Sequence, residues 1–449
     1  MPAHRLAVCS FPAPFDGEAA YFELELHRLT HPCPEGWEAV ELTLHERGND
    51  RQARSILASR PAAVLLHVYR DRVRDALELA NALAASQPDI PLLWCGWTAH
   101  APYVQAVSQA TVALSRPSLI LACGEVEAAV PALLSMIAQR QSASSIAQTS
   151  PHAMWFDPST QRWVGQGSFA QVLDLTSLPG VWQGPSPMRV GPGGAGWIEV
   201  ARGCKYACGF CVACSSGAGS ARPHRPADIQ AEIAAAARQG VTLFGLLASA
   251  INYDINALRA VAGAIGSLPS GSRRVAGTVH AKFAHPEALE LMAQLRWETM
   301  IVGLQSTTAE AQRLMQRREH KDVFAAAIER LRALCVPEVE LILGLPGDSA
   351  RGFEQSVQFA LSLPVSVSIY RLRLDPWSRF LQEREALGLS ADFARWGRVT
   401  ATAEMPQDEL DGAEAWIRQI ARSPWTHRAM RLSLDGVPLY SADQRYQQR

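Results

Sequence analysis

The chain has 449 residues, of which 48% are hydrophobic and 19% charged, with 42 Lys and Arg against 43 Asp and Glu. This composition is that of a globular protein and excludes a disordered or collagen-like chain, and the length suits two domains better than one. A net charge of -1 gives no electrostatic case for a nucleic-acid binder. The sequence has no signal-peptide pattern and no long apolar run, so we expect a cytoplasmic protein without a membrane span.

The first 140 residues have the pattern of a doubly wound, Rossmann-like α/β domain, in which short apolar runs alternate with amphipathic segments. The strands are predicted at Arg5–Ser10, Ala39–Leu44, Ala62–Val68, Pro91–Cys95 and Leu119–Cys123, and one helix at Arg72–Ser86. Such sheets bind ligands at the carboxyl ends of their strands. The residues predicted there are Ser10, His67, Trp94, Gly96, Gly124 and Glu125.

Residues 141–196 are rich in Ser, Gln, Gly and Pro and are predicted to be a linker. Regular alternation resumes over 197–394, where six strand–helix repeats predict a partial (β/α)6 barrel of the TIM type. The strands are predicted at Trp197–Val200, Val241–Leu247, Val275–His280, Thr299–Gly303, Val339–Leu343 and Val367–Leu372. The last stretch, 395–449, is predicted to be a short helical region, with its helix over Asp408–Ala421.

The strongest local feature is ARGCKYACGFCVAC, where Cys204, Cys208 and Cys211 have the spacing C-x3-C-x2-C and Cys214 follows. Thiolates this close together bind soft metals, and the loop lies after the first barrel strand, at the face where barrels place their active sites. We predict an iron–sulfur cluster on the three cysteines. The alternatives are a zinc site completed by Cys214 and a chance group of free cysteines.

This motif resembles the signature of the radical S-adenosylmethionine (SAM) enzymes, in which an aromatic residue, here Phe210, precedes the last cysteine. The resemblance extends to RPHRPAD at 222–228 before a helix with Glu232, VGLQS at 302–306 and ILGLPGD at 342–348. It implies that the three cysteines hold a [4Fe-4S] cluster whose fourth iron binds SAM, and that Phe210 packs near the adenine.

One departure concerns the SAM amino group, which many relatives bind with a Gly-Gly-Glu run after the second strand. Here residues 246–253 read LLASAINY, so Ser249 or Asn252 is expected to substitute. Ser306 is a candidate ribose or carboxylate contact, or else the N-cap of a helix at 308–315. Gly344 and Gly347 either let the backbone approach the adenine or only shape a turn.

The amino-terminal domain resembles the cobalamin-binding domain that precedes a subset of these enzymes, on the residues at 88–99 and 123–134. The Asp-x-His-x-x-Gly motif is absent, which implies cobalamin held without that histidine. Trp94 and Trp97 either pack on the corrin or belong to the core. His67 and His100 near strand ends either approach the corrin or are ordinary crevice or surface histidines. The remaining five thiols are interpreted as structural, namely Cys9, Cys33, Cys95, Cys123 and Cys335.

The resemblance implies methylation of an unactivated carbon of a small molecule or peptide through a 5′-deoxyadenosyl radical and methylcobalamin. It also implies a reductant such as flavodoxin or ferredoxin, and neither a nucleic-acid partner nor a membrane. Candidate substrate contacts, which are equally interpretable as strand-end ion pairs, are His280, Lys282, Tyr370, Arg371 and Arg373. The alternatives are a cobalamin-dependent rearrangement or cyclisation, a transfer RNA methylthiotransferase, and a non-catalytic cobalamin or iron–sulfur sensor.

Overall fold

The computed structural model describes residues 4–11, 17–31, 33–44, 49–115, 118–184, 186–214, 221–423, 426 and 429–441. The side chain of Cys214 lies outside this described part. The chain divides into two compact units. The first comprises Met1–Ser186, Asp375–Trp377 and Asp392–Gly397, and the second comprises the remaining residues.

The first unit is built on a seven-stranded sheet in the order β2-β1-β3-β4-β5-β6-β7. Its first five strands run parallel and are β1 (His4–Ser10), β2 (Trp37–Thr43), β3 (Ala63–His67), β4 (Leu92–Cys95) and β5 (Leu119–Ala122). The doubly wound prediction is confirmed, and each predicted strand is found to within two residues. These strands were predictable because the central ones are buried along their whole length and therefore read as continuous apolar runs.

Helices cover both faces of this sheet. They are α1 (Gly17–Thr30), α2 (Asp50–Ala58), α3 (Val73–Ser86), α4 (Ala101–Ala110), α5 (Val126–Ala138) and α6 (Ala143–Thr149). In α3 the apolar residues at helical spacing, Val73, Leu77 and Ala80, are fully buried. The strand order 2-1-3-4-5 places the topological switch point between β1 and β3, where doubly wound sheets bind ligands beyond the carboxyl ends.

The residues predicted as a linker are not irregular throughout. Besides α6, they form β6 (Ala153–Asp157) and β7 (Arg162–Val164), an antiparallel hairpin that pairs with β5 and widens the sheet. The prediction failed here because strands of five and three residues at a sheet edge are too short to show periodicity. The hairpin is held partly by Phe156 and Trp163, whose ring centroids lie 5.2 Å apart.

The second unit is built on an eight-stranded sheet in the order β8-β11-β12-β13-β14-β15-β18-β19. The first six are parallel and are β8 (Ala195–Glu199), β11 (Leu243–Leu247), β12 (Arg274–Thr278), β13 (Arg296–Gln305), β14 (Glu338–Leu343) and β15 (Ser366–Arg371). The connecting helices are α7 (Pro226–Arg238), α8 (Ile255–Gly266), α9 (Pro286–Met292), α10 (Ala309–Leu314), α11 (Lys321–Arg332) and α12 (Ala350–Ser362). The predicted partial (β/α)6 barrel is confirmed.

Shorter elements complete this part of the chain. Two antiparallel ribbons are formed by β9 (Ala201–Arg202) with β10 (Arg222–Pro223) and by β16 (Ser390–Asp392) with β17 (Arg398–Ala401). The helices are α13 (Arg379–Gln382) and α14 (Gln407–Ile420), the latter matching the helix expected near the carboxyl terminus.

The final region is not only helical, because β18 (Arg431–Leu434) and β19 (Val437–Ser441) follow α14. Strand β18 pairs parallel with β15 and antiparallel with β19, which extends the barrel sheet by two strands. Both strands have only four or five residues, too few to be recognised from sequence. Within the described residues, no helix is long and apolar enough to cross a membrane.

Candidate functional site

The three predicted cluster cysteines lie on the loop that follows β8 and β9, at the carboxyl edge of the barrel sheet. Cys204 and Cys208 are each 6% exposed, and Cys211 is half-buried. Cys204 and Cys208 form a buried group with Ala250 and Tyr253, against which Tyr206, Phe210, Cys211, Ala213 and Phe283 pack. The backbone N–H of Tyr206 donates to Sγ of Cys204 at 3.4 Å. Three thiols of one short loop thus meet in a largely apolar, aromatic surrounding.

A buried ionic group closes this loop at its base. Nε of Arg202 donates to Glu199 Oε1 at 2.6 Å, and Nε2 of His224 lies 3.0 Å from Glu199 Oε2. The β9–β10 ribbon brings residues 222–224 back beside 200–202. Burying a carboxylate is unfavourable unless it is paired. The bonds of Glu199 to Arg202 and His224 therefore hold the chain in place before and after the cysteines.

The middle of the loop is fixed by Gly209, which sequence reasoning missed. Its N–H donates to the carbonyl of Met315 at 3.0 Å, and its carbonyl accepts from the N–H of Phe380 at 2.9 Å. A Cβ at this position would overlap the side chains of Phe380 and Arg379. The only sequence signal was the glycine between Cys208 and Phe210. It could not be interpreted from sequence because the residues that require a glycine there are more than a hundred positions away.

Four rings surround the cysteine loop. His280 stacks on Tyr206 with centroids 5.0 Å apart, and Tyr253 and Phe283 lie 5.6 and 5.5 Å from the same imidazole. Burial, with Arg317 and Lys282 nearby, lowers the pKa of His280 to about 3. Because Nδ1 of His280 accepts from the N–H of Lys282, the neutral ring carries its proton on Nε2.

The two candidates for the missing Gly-Gly-Glu contact make hydrogen bonds within the protein. The Ser249 hydroxyl donates to the carbonyl of Gly203 at 2.6 Å, which holds the start of the cysteine loop. The Asn252 amide makes two bonds with the backbone of His280, at 3.0 and 2.9 Å, and is 2% exposed. Asn252 therefore connects the ends of β11 and β12.

Ser306 and Gly344 follow the next two strands. Ser306 is fully buried, donates to Asp348 at 2.9 Å and accepts from the N–H of Thr308 at 3.0 Å. Burial raises the pKa of Asp348, which also accepts from the Thr308 hydroxyl at 2.7 Å. The N-cap of α10 is Thr308, so Ser306 is not the predicted helix cap, and its hydroxyl instead joins the turn before α10 to Asp348. Gly344 has φ +90°, a value that favours glycine in the turn after β14.

A second group that sequence reasoning largely missed consists of buried polar atoms without a hydrogen-bond partner. These atoms are His280 Nε2, Gln305 Oε1, Arg317 Nε and Glu319 Oε1. Glu319 Oε1 lies 3.6 Å from both His280 Nε2 and Arg317 Nε. Gln312 fixes the backbone of Glu319 through two hydrogen bonds of 3.1 Å. Buried polar atoms are almost always satisfied, so this group is suited to polar groups of a ligand.

The predicted substrate contacts have different surroundings. Arg371 is 3% exposed and donates to Glu414 of α14 at 2.9 Å and to the carbonyl of Val399, so the prediction for it is replaced by an internal ion pair. The backbone of Arg373 forms an isolated antiparallel β-bridge with the backbone of Arg398. Lys282 donates to the carbonyl of Arg318 at 2.5 Å. Tyr370 is 37% exposed.

In the first unit, the tryptophans and His67 that were predicted to contact the corrin make hydrogen bonds to other residues of the protein. Trp94 is fully buried and donates to Thr98 at 2.9 Å, which makes it a core residue. Glu25 of α1 lies 3.1 Å from Nε2 of His67 and accepts from Trp97 Nε1 at 3.1 Å. Ser10 is 7% exposed at the end of β1. The ends of β1, β3 and β4 therefore form a largely satisfied polar surface.

Glycines at the same edge allow close packing. Gly96 has φ +89° and Gly124 has φ +113°. A Cβ at Gly124 would overlap the backbone of Ala170, and Glu125 accepts from the N–H of Val172 at 2.7 Å. Gly124 and Glu125 thus hold residues 170–172 against the sheet.

His100, after β4, is 7% exposed and its Nδ1 has no partner. Its ring centroid is 4.5 Å from that of Trp377, which belongs to the same unit. Burial lowers the pKa of His100 to about 4, so the ring is neutral.

The other thiols agree with a structural interpretation. Cys9, Cys95 and Cys123 are fully buried, and burial raises the pKa of Cys9 and Cys123 to about 12. Cys335 is half-buried and its pKa is raised to about 11 for the same reason. These groups are protonated at neutral pH and are poor metal ligands in that form.

The donor set on the loop fits an iron–sulfur cluster chemically, since three thiols belong to one group of packed side chains and Sγ of Cys204 already accepts a backbone N–H. Across the described part of the chain, no three His, Cys, Asp or Glu side chains converge on a point suited to one metal ion. In the first unit the strand order places a switch point between β1 and β3, which is where such sheets bind large ligands. The predicted side chains at the strand ends form a surface that is already ordered by contacts within the protein.

Comparison with known sequences places this geometry in context. A model of the Radical SAM superfamily matches residues 198–360. Curated relatives include the tRNA-2-methylthio-N(6)-dimethylallyladenosine synthase of Parafrankia sp., 26% identical over 55% of this chain and 51% of that protein. The corresponding protein of Mycobacterium marinum is 28% identical over 36% of this chain and 35% of that protein. The chain thus spans about half the length of these relatives or less.

Solved structures match nearly the whole chain. The radical S-adenosylmethionine methyltransferase TsrM from Kitasatospora setae, solved with tryptophan substrate and a SAM analogue, has a TM-score of 0.70 at 16% identity, covering 95% of this chain and 91% of that one. The cobalamin-dependent S-adenosylmethionine radical enzyme OxsB has a TM-score of 0.68 at 13% identity, covering 93% and 66%. Residues 198–360 are therefore similar to the Radical SAM superfamily, and the chain has the fold of these solved structures.

Proposed function

We propose that the protein is a cobalamin-dependent radical SAM enzyme that methylates an unactivated carbon of a small molecule or peptide. The observation that carries the proposal is the loop with Cys204, Cys208 and Cys211, buried among aromatic rings at the barrel's carboxyl edge. The structure of TsrM that contains cobalamin and a [4Fe-4S] cluster has a TM-score of 0.70 with this chain, which supports a corrin in the first unit. The cytoplasm suits such a cluster, and its electrons would come from a flavodoxin or ferredoxin.

When bound, a reduced [4Fe-4S] cluster with SAM supplies a 5′-deoxyadenosyl radical, and cobalamin supplies a transferable methyl group. The chain's own residues have three tasks around these groups. The cysteines provide the sulfur ligands, the ionic group at Glu199 and the contacts of Gly209 keep the loop in place, and the rings exclude water.

The unsatisfied polar group beside the loop matches the amino-acid end of SAM. The Glu319 carboxylate is suited to an ammonium, while Arg317 Nε–H and His280 Nε2–H are suited to a carboxylate. This arrangement would replace the Gly-Gly-Glu contact absent from residues 246–253, since the Asn252 amide is occupied by His280.

For the corrin, the candidate surface lies beyond the ends of β1, β3 and β4, at Ser10, Gly96 and Trp97. Side chains there are held by Glu25, so contact would rest on shape and backbone groups more than on side-chain ligands. No Asp-x-His-x-x-Gly histidine is present to act as an axial ligand.

The test is anaerobic reconstitution with iron, sulfide and hydroxocobalamin, followed by incubation with methyl-labelled SAM and a reductant. The proposal predicts bound iron and corrin, 5′-deoxyadenosine release, and label recovered in the protein-bound corrin fraction. Iron binding without any corrin would overturn the cobalamin assignment. Corrin and 5′-deoxyadenosine without any label in the corrin fraction would instead support a rearrangement or cyclisation.

A second candidate, methylthiolation of transfer RNA, is favoured by the names of the curated relatives. Against it, Cys9, Cys95 and Cys123 of the first unit are fully buried within or directly after the strands β1, β4 and β5, as core residues are. Adding transfer RNA that lacks methylthio groups to the same reaction separates the two functions, because only a methylthiotransferase would add labelled methylthio groups to it.

A further inference from the structure

Tyr253 lies in the short 3-10 turn Ile251–Tyr253 between β11 and α8, and is 9% exposed. Its hydroxyl oxygen is 3.9 Å from Sγ of Cys204, across 49 residues of sequence. The Tyr206 N–H approaches the same sulfur at 3.4 Å. One sulfur of the cysteine loop therefore has two potential donors around it.

The position of this hydroxyl is fixed on several sides. Its neighbour Asn252 is tied to the His280 backbone by two hydrogen bonds, and Lys205 donates to the Tyr253 carbonyl at 2.7 Å. The Tyr253 ring packs edge-on against Phe283, with centroids 5.0 Å apart. A turn held in this way offers the hydroxyl little freedom to move away from the sulfur.

We propose that the Tyr253 hydroxyl donates a hydrogen bond to the iron-bound sulfur of Cys204 and thereby raises the reduction potential of the cluster. The inference rests on the proposed function, since it requires a cluster on Cys204. Hydrogen bonds to cluster sulfurs withdraw negative charge, and the reduced cluster carries more of it, so a donor stabilises the reduced state. Tyr253 is a positioning and tuning residue, because it acts through Cys204.

The experiment compares wild-type protein with Tyr253→Phe, which removes only the hydroxyl. Tyr206→Phe is the matched control, because it makes the same change in the same aromatic shell, and the structure gives its hydroxyl no bond to sulfur. Each protein is reconstituted anaerobically with iron and sulfide, without SAM, and titrated with dithionite while the reduced cluster is followed by electron paramagnetic resonance.

We expect Tyr253→Phe to shift the reduction equilibrium about tenfold toward the oxidised cluster, equivalent to a midpoint about 59 mV more negative for one electron. Tyr206→Phe should keep the wild-type midpoint. A second readout covers the case in which Tyr253→Phe takes up no cluster. In the wild type, electron–nuclear double resonance in H2O and D2O should show an exchangeable proton coupled to the cluster beyond that of a backbone amide.

If wild type, Tyr253→Phe and Tyr206→Phe all hold intact clusters with the same midpoint potential, this inference is overturned and the proposed function still stands. The same holds if the wild-type spectrum shows no such additional exchangeable proton. A wild-type protein that holds no reducible cluster would overturn both.

Discussion

The carboxyl edges of the two parallel sheets are completed in different ways. At the edge of the first sheet, most polar side chains are satisfied within the protein, as in Glu25 with His67 and Trp97, or Glu125 with the Val172 N–H, and Nδ1 of His100 is an exception. At the edge of the barrel sheet, thiols lie beside buried polar atoms that have no hydrogen-bond partner, among them Arg317 Nε and Glu319 Oε1, which lie 3.6 Å apart. The first edge is thus a preformed surface, whereas the second requires groups that a ligand would bring.

This difference has a consequence for ligand recognition. A satisfied edge binds through shape and backbone, so single side-chain changes there should have modest effects. An unsatisfied edge depends on a few charged groups, and each loss should be large. The following substitutions test that contrast, beginning with the greatest expected effect.

Cys208→Ala should abolish iron binding and SAM cleavage, because it removes one of the three proposed cluster ligands, and this one is buried. Iron content and 5′-deoxyadenosine release measure the loss. Cys335→Ala is the control, since that half-buried thiol lies on the chain after α11 and away from the loop. Full 5′-deoxyadenosine release by Cys208→Ala would contradict the cluster assignment.

Arg317→Gln should weaken SAM binding by roughly 10- to 100-fold, because a hydrogen bond to a charged group contributes about 1.5–3 kcal/mol. Equilibrium dialysis with the reconstituted protein measures the dissociation constant. Arg313→Gln provides the comparison, since Arg313 forms an exposed pair with Glu310 one turn earlier. Equal dissociation constants for the two variants would show that the group at Arg317 and Glu319 does not receive SAM.

Gly209→Ala should lower the iron retained after reconstitution severalfold, because the added methyl group meets Phe380 and overpacking costs about 1–3 kcal/mol. Gly263→Ala is the matched change, since a Cβ on that helical glycine meets nothing within 4 Å. Iron retention by Gly209→Ala equal to that of Gly263→Ala would mean that the contacts of Gly209 do not position the loop.

The last effect concerns the pH dependence of stability, not ligand binding, and is expected in the first unit, at His100. Burial lowers its pKa to about 4, against about 6.5 unfolded, so the unfolded chain takes up a proton first as pH falls. This contribution to stability is complete above pH 6.5 and is lost toward pH 4, by about 2 kcal/mol at pH 5.

His100→Leu should remove that dependence. Urea unfolding of the cofactor-free protein at pH 8 and pH 5 gives the two free energies of unfolding. Wild type should lose about 2 kcal/mol more than His100→Leu over this interval. Equal losses would show that His100 is not buried in its neutral form.

The parts of the fold that sequence predicted are those with long, buried elements. The parallel strands of both sheets are apolar runs between amphipathic helices, and their order along the chain determined the fold class. The edge strands β6, β7, β18 and β19 were missed because three to five residues carry no readable period.

Residues of the candidate site could be predicted only where they form a motif of closely spaced positions in the sequence. Cys204, Cys208 and Cys211 are recognisable because three cysteines lie within eight residues. Arg317 and Glu319 were missed because an Arg-x-Glu segment is ordinary until the fold buries it. Trp94 and Arg371 lie at strand ends as expected, but their side chains are taken up by Thr98 and Glu414, which no local pattern reveals.

The most direct test of the account is the amount of cobalt and iron bound per chain after reconstitution with both, in wild type and Cys208→Ala. Two separate sites predict about four irons with one corrin in the wild type, and an unchanged corrin with no iron in the variant. Wild-type protein that binds iron but no cobalt, or a variant that loses both metals together, would contradict it.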